Sequence, residues 1–127
     1  DESARTRAIA LAARVMRNGH TGAKPIVCIF PEGTRSRSGE MNGVSPGAAW
    51  LARKVDAPMV PVALCGFWEV WPPHRRLPSW KRTGLSVHFL DPVDPADFPD
   101  DQTAAEHAMN LAYAVVRRER ETRHSKG

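Results

Sequence analysis

Three short apolar runs, separated by segments with helical spacing, constrain the fold of this chain more than any other feature. The runs are KPIVCIF at 24–30, MVPVALC at 59–65 and GLSVHFL at 84–90. Each has the length of a β-strand, and the first two are apolar on both faces, which is typical of parallel strands covered by helices. Apolar residues at helical spacing predict a helix at 1–18, a short helix bounded by prolines at 46 and 58, and a helix at 101–121. The predicted inner face of the first comprises Ile9, Ala12, Ala13 and Met16, and that of the last comprises Ala105, Ala108, Met109, Ala112 and Val116. We therefore predict an α/β fold with a layered, largely parallel sheet flanked by helices.

The length of the chain suits one domain. Its 127 residues, of which 42% are hydrophobic, can form a single globular unit with a modest core. The chain opens with DESARTR, without Met and directly inside a helical pattern. We therefore expect residues 1–127 to be the C-terminal portion of a single, incomplete domain from a longer protein, with 122–127 as a mobile tail.

The charge balance is compatible with several kinds of partner. Lys and Arg total 18 against 14 Asp and Glu, which gives a net charge of +4. That balance suits a phosphate-bearing ligand, an anionic membrane surface or nucleic acid, and does not choose among them. No apolar run approaches the roughly 20 residues that a spanning helix needs. The Cys and His spacing predicts no metal site, and Cys28 and Cys65 are predicted to be reduced thiols in the core.

The residues that can carry chemistry lie directly after the first apolar run, in FPEGTRSRSGE. Ligand crevices in open α/β sheets lie beyond the carboxyl ends of the strands, so this loop is the predicted binding site. Gly33 lets a ligand approach the main chain, Arg35 offers a planar fork of donors to a phosphate, and Thr34 and Ser36 add hydroxyls. Glu32 can accept a hydrogen bond from a substrate hydroxyl or hold the arginine in position. The same residues also fit a plain tight turn with a local Glu32–Arg35 pair.

Two motifs carry a resemblance to a known family. FPEGTRS at 30–36 resembles the third sequence block of the glycerolipid acyltransferases, specifically the 1-acylglycerol-3-phosphate acyltransferase family. APMVPVAL at 57–64 is similar to the fourth block of that family. The helix at 1–19 resembles the one that joins the second block to the third, and GLSVHFLDPV at 84–93 resembles the strand after the fourth. The resemblance thus covers nearly the whole chain.

The resemblance implies an O-acyltransferase. In such an enzyme the hydroxyl of a lysophospholipid or glycerol-phosphate acceptor attacks an acyl thioester carried by coenzyme A or acyl carrier protein, and no other cofactor is expected. Arg35 is expected on the acceptor phosphate, and Pro61 is expected to be a structural member of the fourth block, near the acyl channel at most. The residues carried over from the family are Glu32 as the catalytic residue, and Gly33, Thr34, Arg35, Ser36 and Pro61 as substrate-binding residues.

This chain departs from the family pattern at two places. In the family a His acts as general base and an Asp orients it, within a His-x4-Asp block, and no His of this chain is followed by an Asp at that spacing. We expect that block, and the second block with its basic residue, to lie upstream of Asp1. Val44, Ser45 and Pro46 stand where the family commonly carries basic residues. The acceptor therefore stays open between lysophosphatidate, glycerol 3-phosphate and another alcohol.

A second hypothesis is a non-catalytic module that binds phospholipid or a membrane surface. Segment 66–84 combines aromatic and basic residues, which suit the head-group layer of a bilayer. They are Trp68, Trp71, His74, Arg75, Arg76, Trp80, Lys81 and Arg82. The simpler interpretation is tryptophans packed across the domain beneath a solvated basic rim. Nucleic acid is not an expected partner, because the basic residues form no stripe with interleaved aromatics. We expect the enzyme at the cytoplasmic face of a membrane, either peripheral or anchored through upstream segments.

Overall fold

The chain folds into helices that surround a small sheet. The computed structural model describes residues 2–19, 22, 24–79 and 84–126. Its elements follow in the order α1 (Glu2–Asn18), α2 (Gly47–Lys54), β1 (Val62–Cys65), α3 (Phe67–Val70), β2 (Ser86–Phe89), a 3-10 turn (Pro95–Asp97) and α4 (Asp101–Ser125).

The sheet of the described residues has two antiparallel strands. Val62 of β1 lies opposite Phe89 of β2, and Cys65 lies opposite Ser86. A single bridge between Met59 and Val93 lies just beyond this ladder. The mixed α/β class is therefore confirmed, whereas the predicted layered, largely parallel sheet is wrong. The second and third apolar runs do form strands, although each strand is shorter than its run.

The first apolar run, at 24–30, forms no strand in the structure. Ile26 is 94% exposed and Phe30 is 67% exposed. Cys28 is exposed as well, so the predicted core thiol at this position is wrong, whereas Cys65 is a buried free thiol. A strand forms only where a second strand pairs with its backbone groups, and no described segment pairs with this run. An apolar pattern indicates that a segment can be buried, but it does not indicate which other segment would pair with it.

Helix α4 organises the core through small side chains. One part of its inner face packs on α2, where Ala49 meets Ala104 and Ala105. A later part packs on the sheet, where Ala112 meets Ala63 and Cys65 of β1. Alanines allow the backbones to approach closely, and the predicted inner face of this helix is confirmed in its alanines: Ala105, Ala108 and Ala112 are buried.

Side chains at the start of α4 fix its direction. The carboxylate of Asp100 accepts a hydrogen bond from the backbone N–H of Thr103 at 2.7 Å and caps the helix. Arg53 of α2 donates to Asp101 at 2.8 Å and to the carbonyl of Pro95 at 2.9 Å. The helix runs to Ser125, beyond the predicted end at residue 121.

Helix α1 packs against the N-terminus of α2, where the side chain of Ile9 lies close to Gly47. The polar loop between these two helices is thereby held at both ends. Among the helices of the described residues, none combines the length and the apolar character needed to cross a bilayer.

Candidate functional site

The PEGTRS loop, defined here as residues 31–45, is closed by backbone hydrogen bonds. The N–H of Ser45 donates to the carbonyl of Pro31 at 2.9 Å and closes the base of the loop. The N–H of Gly33 donates to the carbonyl of Phe30 at 3.1 Å, so residues 30–33 form a β-turn with proline in its second position. Gly33 has φ of +72°. Glycine adopts this left-handed angle at little cost, and the N–H of Gly33 is used within the turn itself.

Glu32 lies half-buried at the turn. Burial raises the pKa of its carboxyl group because the ionised form loses solvation, and a hydrogen bond from its own backbone N–H lowers it by a smaller amount. Among the described residues no ion pair joins Glu32 to Arg35. The local pair of the plain-turn interpretation is therefore not formed, and Arg35 is exposed.

The other predicted site residues fall into two groups. Thr34 and Arg35 are exposed at the tip of the loop, whereas Ser36 is half-buried and its hydroxyl donates to the carbonyl of Glu40 at 2.6 Å. Ser36 thus closes the inner part of the loop. Pro61 is buried just before β1, where its carbonyl accepts from the N–H of Leu90 at 2.9 Å. The structure therefore groups residues 32–36 in one loop and places Pro61 in the core.

Arg5 of α1 is a site residue that the sequence did not predict. A Cβ built on Gly33 would lie 3.3 Å from Nη2 of Arg5. A second guanidinium group therefore lies over the turn of the PEGTRS loop, and within the described part of the chain it forms no ion pair. Helix α1 carries several arginines, and no sequence signal separates Arg5 from Arg7 or Arg14.

A cleft of about 660 Å³ lies between α1, α2 and α4. Two residues connect the cleft with the PEGTRS loop: Arg5, which lies over the turn of the loop, and Ser45, the last residue of the loop. None of the predicted site residues lines the cleft. Asp100 and Asp101 line it on the side of α4. Because carboxylates repel an anion, the α4 side of this cleft is unfavourable for a phosphate.

His88 does not supply a catalytic base with a serine nucleophile. Its Nε2 lies 3.1 Å from Oγ of Ser86 and 3.6 Å from Oε1 of Glu119. Both groups meet the same ring nitrogen, whereas a serine–histidine–acid arrangement uses the two nitrogens separately. Burial raises the pKa of the neighbouring Cys65 thiol and favours its unreactive neutral form.

The aromatic and basic residues of segment 66–84 have different surroundings. Trp68 is half-buried and donates from Nε1 to the carbonyl of Ser36 at 3.1 Å. Trp71 is 48% exposed and donates to the carbonyl of Arg75 at 3.0 Å. Of the other predicted members, His74, Arg75 and Arg76 are exposed, whereas Trp80, Lys81 and Arg82 lie outside the described residues. Tryptophan packing thus holds for Trp68, while Trp71 lies at the surface.

The segment that carries this site matches a known family. The acyltransferase family model covers residues 1–65, which include α1, the PEGTRS loop, α2 and β1. The chain belongs to the acyltransferase family. The resemblance predicted from FPEGTRS is thereby confirmed. The acyltransferase match ends at β1, so α3, β2 and α4 lie beyond it.

A curated relative among the acyltransferases is the 1-acyl-sn-glycerol-3-phosphate acyltransferase BAT2, chloroplastic, of Brassica napus. The two are 41% identical over 46 residues, which is 36% of this chain. The same alignment covers 13% of the relative, so the chain corresponds to a small part of that acyltransferase. No solved structure gives a significant match to the chain.

Proposed function

We propose that this chain is the acceptor-binding portion of an O-acyltransferase. The complete enzyme transfers an acyl chain from acyl-CoA or acyl carrier protein to the hydroxyl of a lysophosphatidate-like acceptor. The observation that carries the proposal is the PEGTRS loop of an acyltransferase-family chain, in which Arg35 is exposed and the guanidinium group of Arg5 lies over the turn at Gly33.

The loop offers the donors that a phosphate monoester needs. Arg35 and Arg5 each present a planar fork of N–H groups, which matches phosphate oxygens in pairs. Gly33 has no Cβ, which allows the guanidinium of Arg5 to lie close to the backbone of the turn. The exposed hydroxyl of Thr34 adds a further donor. These groups bind the acceptor by its phosphate and leave its hydroxyl for the reaction.

The acyl transfer itself needs a base from outside this chain. A His of a His-x4-Asp block takes the proton of the acceptor hydroxyl, whose oxygen attacks the thioester carbonyl. The carbon–sulfur bond then breaks, and the thiol of the donor leaves with the proton returned by the His. Glu32 accepts a hydrogen bond from the acceptor and orients it. The acyl thioester is a co-substrate, and the reaction takes no other cofactor.

Replacing Arg35 in the complete enzyme tests this assignment. Arg35→Ala is expected to raise the KM for a lysophosphatidate acceptor about tenfold to a hundredfold, because a charge-assisted contact to phosphate is lost. The KM for the acyl donor should stay unchanged. Arg37→Ala is the matched control, since Arg37 is an exposed arginine of the same loop. Equal acceptor KM values in the two variants would contradict the assignment.

The isolated 127 residues provide a second test. We expect them to bind glycerol 3-phosphate weakly, as measured by titration calorimetry, and to transfer no acyl group. Acceptor-dependent turnover by this chain alone would show that the catalytic residues are assigned wrongly.

A membrane-surface contact is a second candidate function, and an exposed patch after β1 favours it. Phe67 is 42% exposed, Trp71 is 48% exposed and Leu77 is 73% exposed, with Arg75 and Arg76 exposed beside them. This patch is proposed to contact anionic head groups at the cytoplasmic face of a membrane.

Sedimentation with vesicles separates this role from the enzymatic one. Trp71→Ala should weaken binding to vesicles of phosphatidylcholine and phosphatidylglycerol, while Trp50→Ala, a partly exposed tryptophan on α2, should leave it unchanged. Vesicle binding by the complete protein without acyl transfer would favour the non-catalytic module. Equal binding by both variants would exclude this patch.

A further inference from the structure

Helix α4 contacts the PEGTRS loop at its N-terminal end, where Gln102 donates to the carbonyl of Val44, and further along through Tyr113, whose hydroxyl donates to Glu40. Near its C-terminal end Arg120 reaches both the loop and α3. Nε of Arg120 donates to Oε1 of Glu69 at 2.7 Å, and its Nη1 donates to the carbonyl of Gly39 at 2.6 Å. The same Nη1 lies 3.8 Å from a carboxylate oxygen of Glu40. The side chain of Arg120 is 21% exposed and that of Glu69 is 30% exposed. The pair is therefore partly desolvated, and the guanidinium joins α4, α3 and the loop.

Trp68 and Gly39 complete this contact. Nε1 of Trp68 donates to the carbonyl of Ser36, and the guanidinium carbon of Arg120 lies 5.9 Å from the centre of the Trp68 ring. Gly39 is buried with φ of +83°. A Cβ built there would lie 3.0 Å from Cδ2 of Trp68 and 3.2 Å from Nη2 of Arg120. The loop backbone therefore packs directly on the two side chains, with no room for a side chain between them.

We infer that Arg120, together with Trp68 and Glu69, is a positioning residue for acceptor binding and holds the PEGTRS loop in its binding conformation. The inference rests on the proposed function. The anchored carbonyl of Ser36 belongs to the residue after Arg35, so the anchor restrains the backbone that carries the phosphate-binding arginine. A restrained loop loses less conformational entropy when the acceptor binds. Trp68, Glu69 and Arg120 all lie beyond the family-matched residues.

Three variants of the complete enzyme test the anchor. Arg120→Gln removes the charge and one of the two donor directions, and is expected to raise the acceptor KM about tenfold with the donor KM unchanged. Trp68→Phe keeps a ring and removes the N–H donor, with an expected rise of about threefold. Arg118→Gln is the matched control, because Arg118 is an exposed arginine of the same helix, and all its kinetic constants should equal those of the wild type.

Amide hydrogen exchange provides a readout that does not depend on turnover. The amides of residues 33–40 should exchange faster in Arg120→Gln than in Arg118→Gln, while those of 104–112 in α4 should be unchanged. Glu69→Gln, which keeps the side-chain size and weakens the contact to Arg120, should show the same change to a smaller extent. If Arg120→Gln fails to fold, this milder variant decides the question.

Two outcomes would overturn the inference. The first is that Arg120→Gln and Arg118→Gln have the same amide exchange rates in the loop and the same KM for the acceptor. The other is a parallel change of donor KM, acceptor KM and melting temperature, which indicates a general structural role. The variant Arg35→Ala shows whether a negative result concerns the role of Arg120 alone or the proposed function as a whole. If Arg35→Ala leaves the acceptor KM unchanged, the proposed function is wrong, and the role of Arg120 in acceptor binding is overturned with it, whatever the exchange rates.

Discussion

Two adjacent residues, Glu32 and Gly33, set the backbone conformation and the charge at the turn of the PEGTRS loop. Gly33 occupies the left-handed region of backbone angles, and the guanidinium of Arg5 lies where a side chain would project. Glu32 loses solvation without gaining a cationic partner among the described residues. The use of glycine was predictable from the motif. The burial of Glu32 was not, because it depends on how the turn packs.

Replacement of Gly33 should destabilise the chain. Gly33→Ala is expected to lower the free energy of unfolding by about 1–2 kcal/mol, because a residue with a Cβ is strained at positive φ. Urea unfolding monitored by circular dichroism measures the change. Gly43→Ala is the control, since Gly43 has open space around its Cβ position and no positive φ. Similar losses in the two variants would mean that the turn angle carries no cost.

The raised pKa of Glu32 predicts a pH-dependent stability. The folded state binds this proton more tightly than the unfolded chain does, so the stabilisation is complete below the unfolded pKa and is lost as pH rises through the folded pKa. Glu32→Gln, which is neutral at every pH, should therefore melt at a higher temperature than the wild type at neutral pH. The difference should vanish in acid.

Thermal unfolding of the wild type and Glu32→Gln across this pH range checks the sign. A variant that is less stable than the wild type at neutral pH would show that the carboxylate has a stabilising partner.

At the scale of single elements, the sequence predicted the helices more accurately than the strands. The spacing of apolar residues in α1 and α4 predicted helices whose inner faces are confirmed at Ala13 and Ala112. Helical hydrogen bonds lie within one segment, so local sequence is enough to predict them. The short helix α3 was missed because its four residues show no period. Strands need partners from distant segments. Neither apolar run by itself predicts that β1 pairs with β2 or that the pairing is antiparallel.

The N-terminus of α4 offers a test at this scale. The N–H of Thr103 lowers the pKa of Asp100, so the carboxylate is favoured in the folded state. Its stabilisation is present above the unfolded pKa and lost as pH falls through the folded pKa. Asp100→Ala should lower the melting temperature at neutral pH, and the deficit should shrink in acid. Asp91→Ala, an exposed aspartate outside the cap, should have no such pH-dependent effect.

At the scale of the whole molecule, the chain exposes much apolar surface. Its accessible surface is 9417 Å², against roughly 6,700 Å² for a compact protein of this mass. One face of the sheet packs on α4, and the other is uncovered. The exposed residues of that second face are Val62, Leu64, Val87 and Phe89. Apolar patches of this kind favour association between molecules.

This uncovered face predicts the solution behaviour of the isolated 127 residues. Phe89, which is 76% exposed, is expected to promote concentration-dependent association, and Phe89→Lys should reduce it without lowering the melting temperature. Light scattering over a concentration series measures the change. Leu77→Lys, at an exposed leucine outside the sheet, is the control. Equal association in both variants would mean that the sheet face is not responsible.

The amino-acid sequence by itself determined helices α1, α2 and α4, the polar loop after the first apolar run and the family to which the chain belongs. These features depend on local spacing and on a contiguous motif. Only the tertiary structure decided the antiparallel pairing, the exposure of 24–30, and the placement of Arg5 and Arg120 against the PEGTRS loop. The pairing and the two placements join segments far apart in the chain, and 24–30 is exposed because no described segment pairs with it. Such contacts depend on which surfaces can pack together, and that choice is made by the folded chain as a whole.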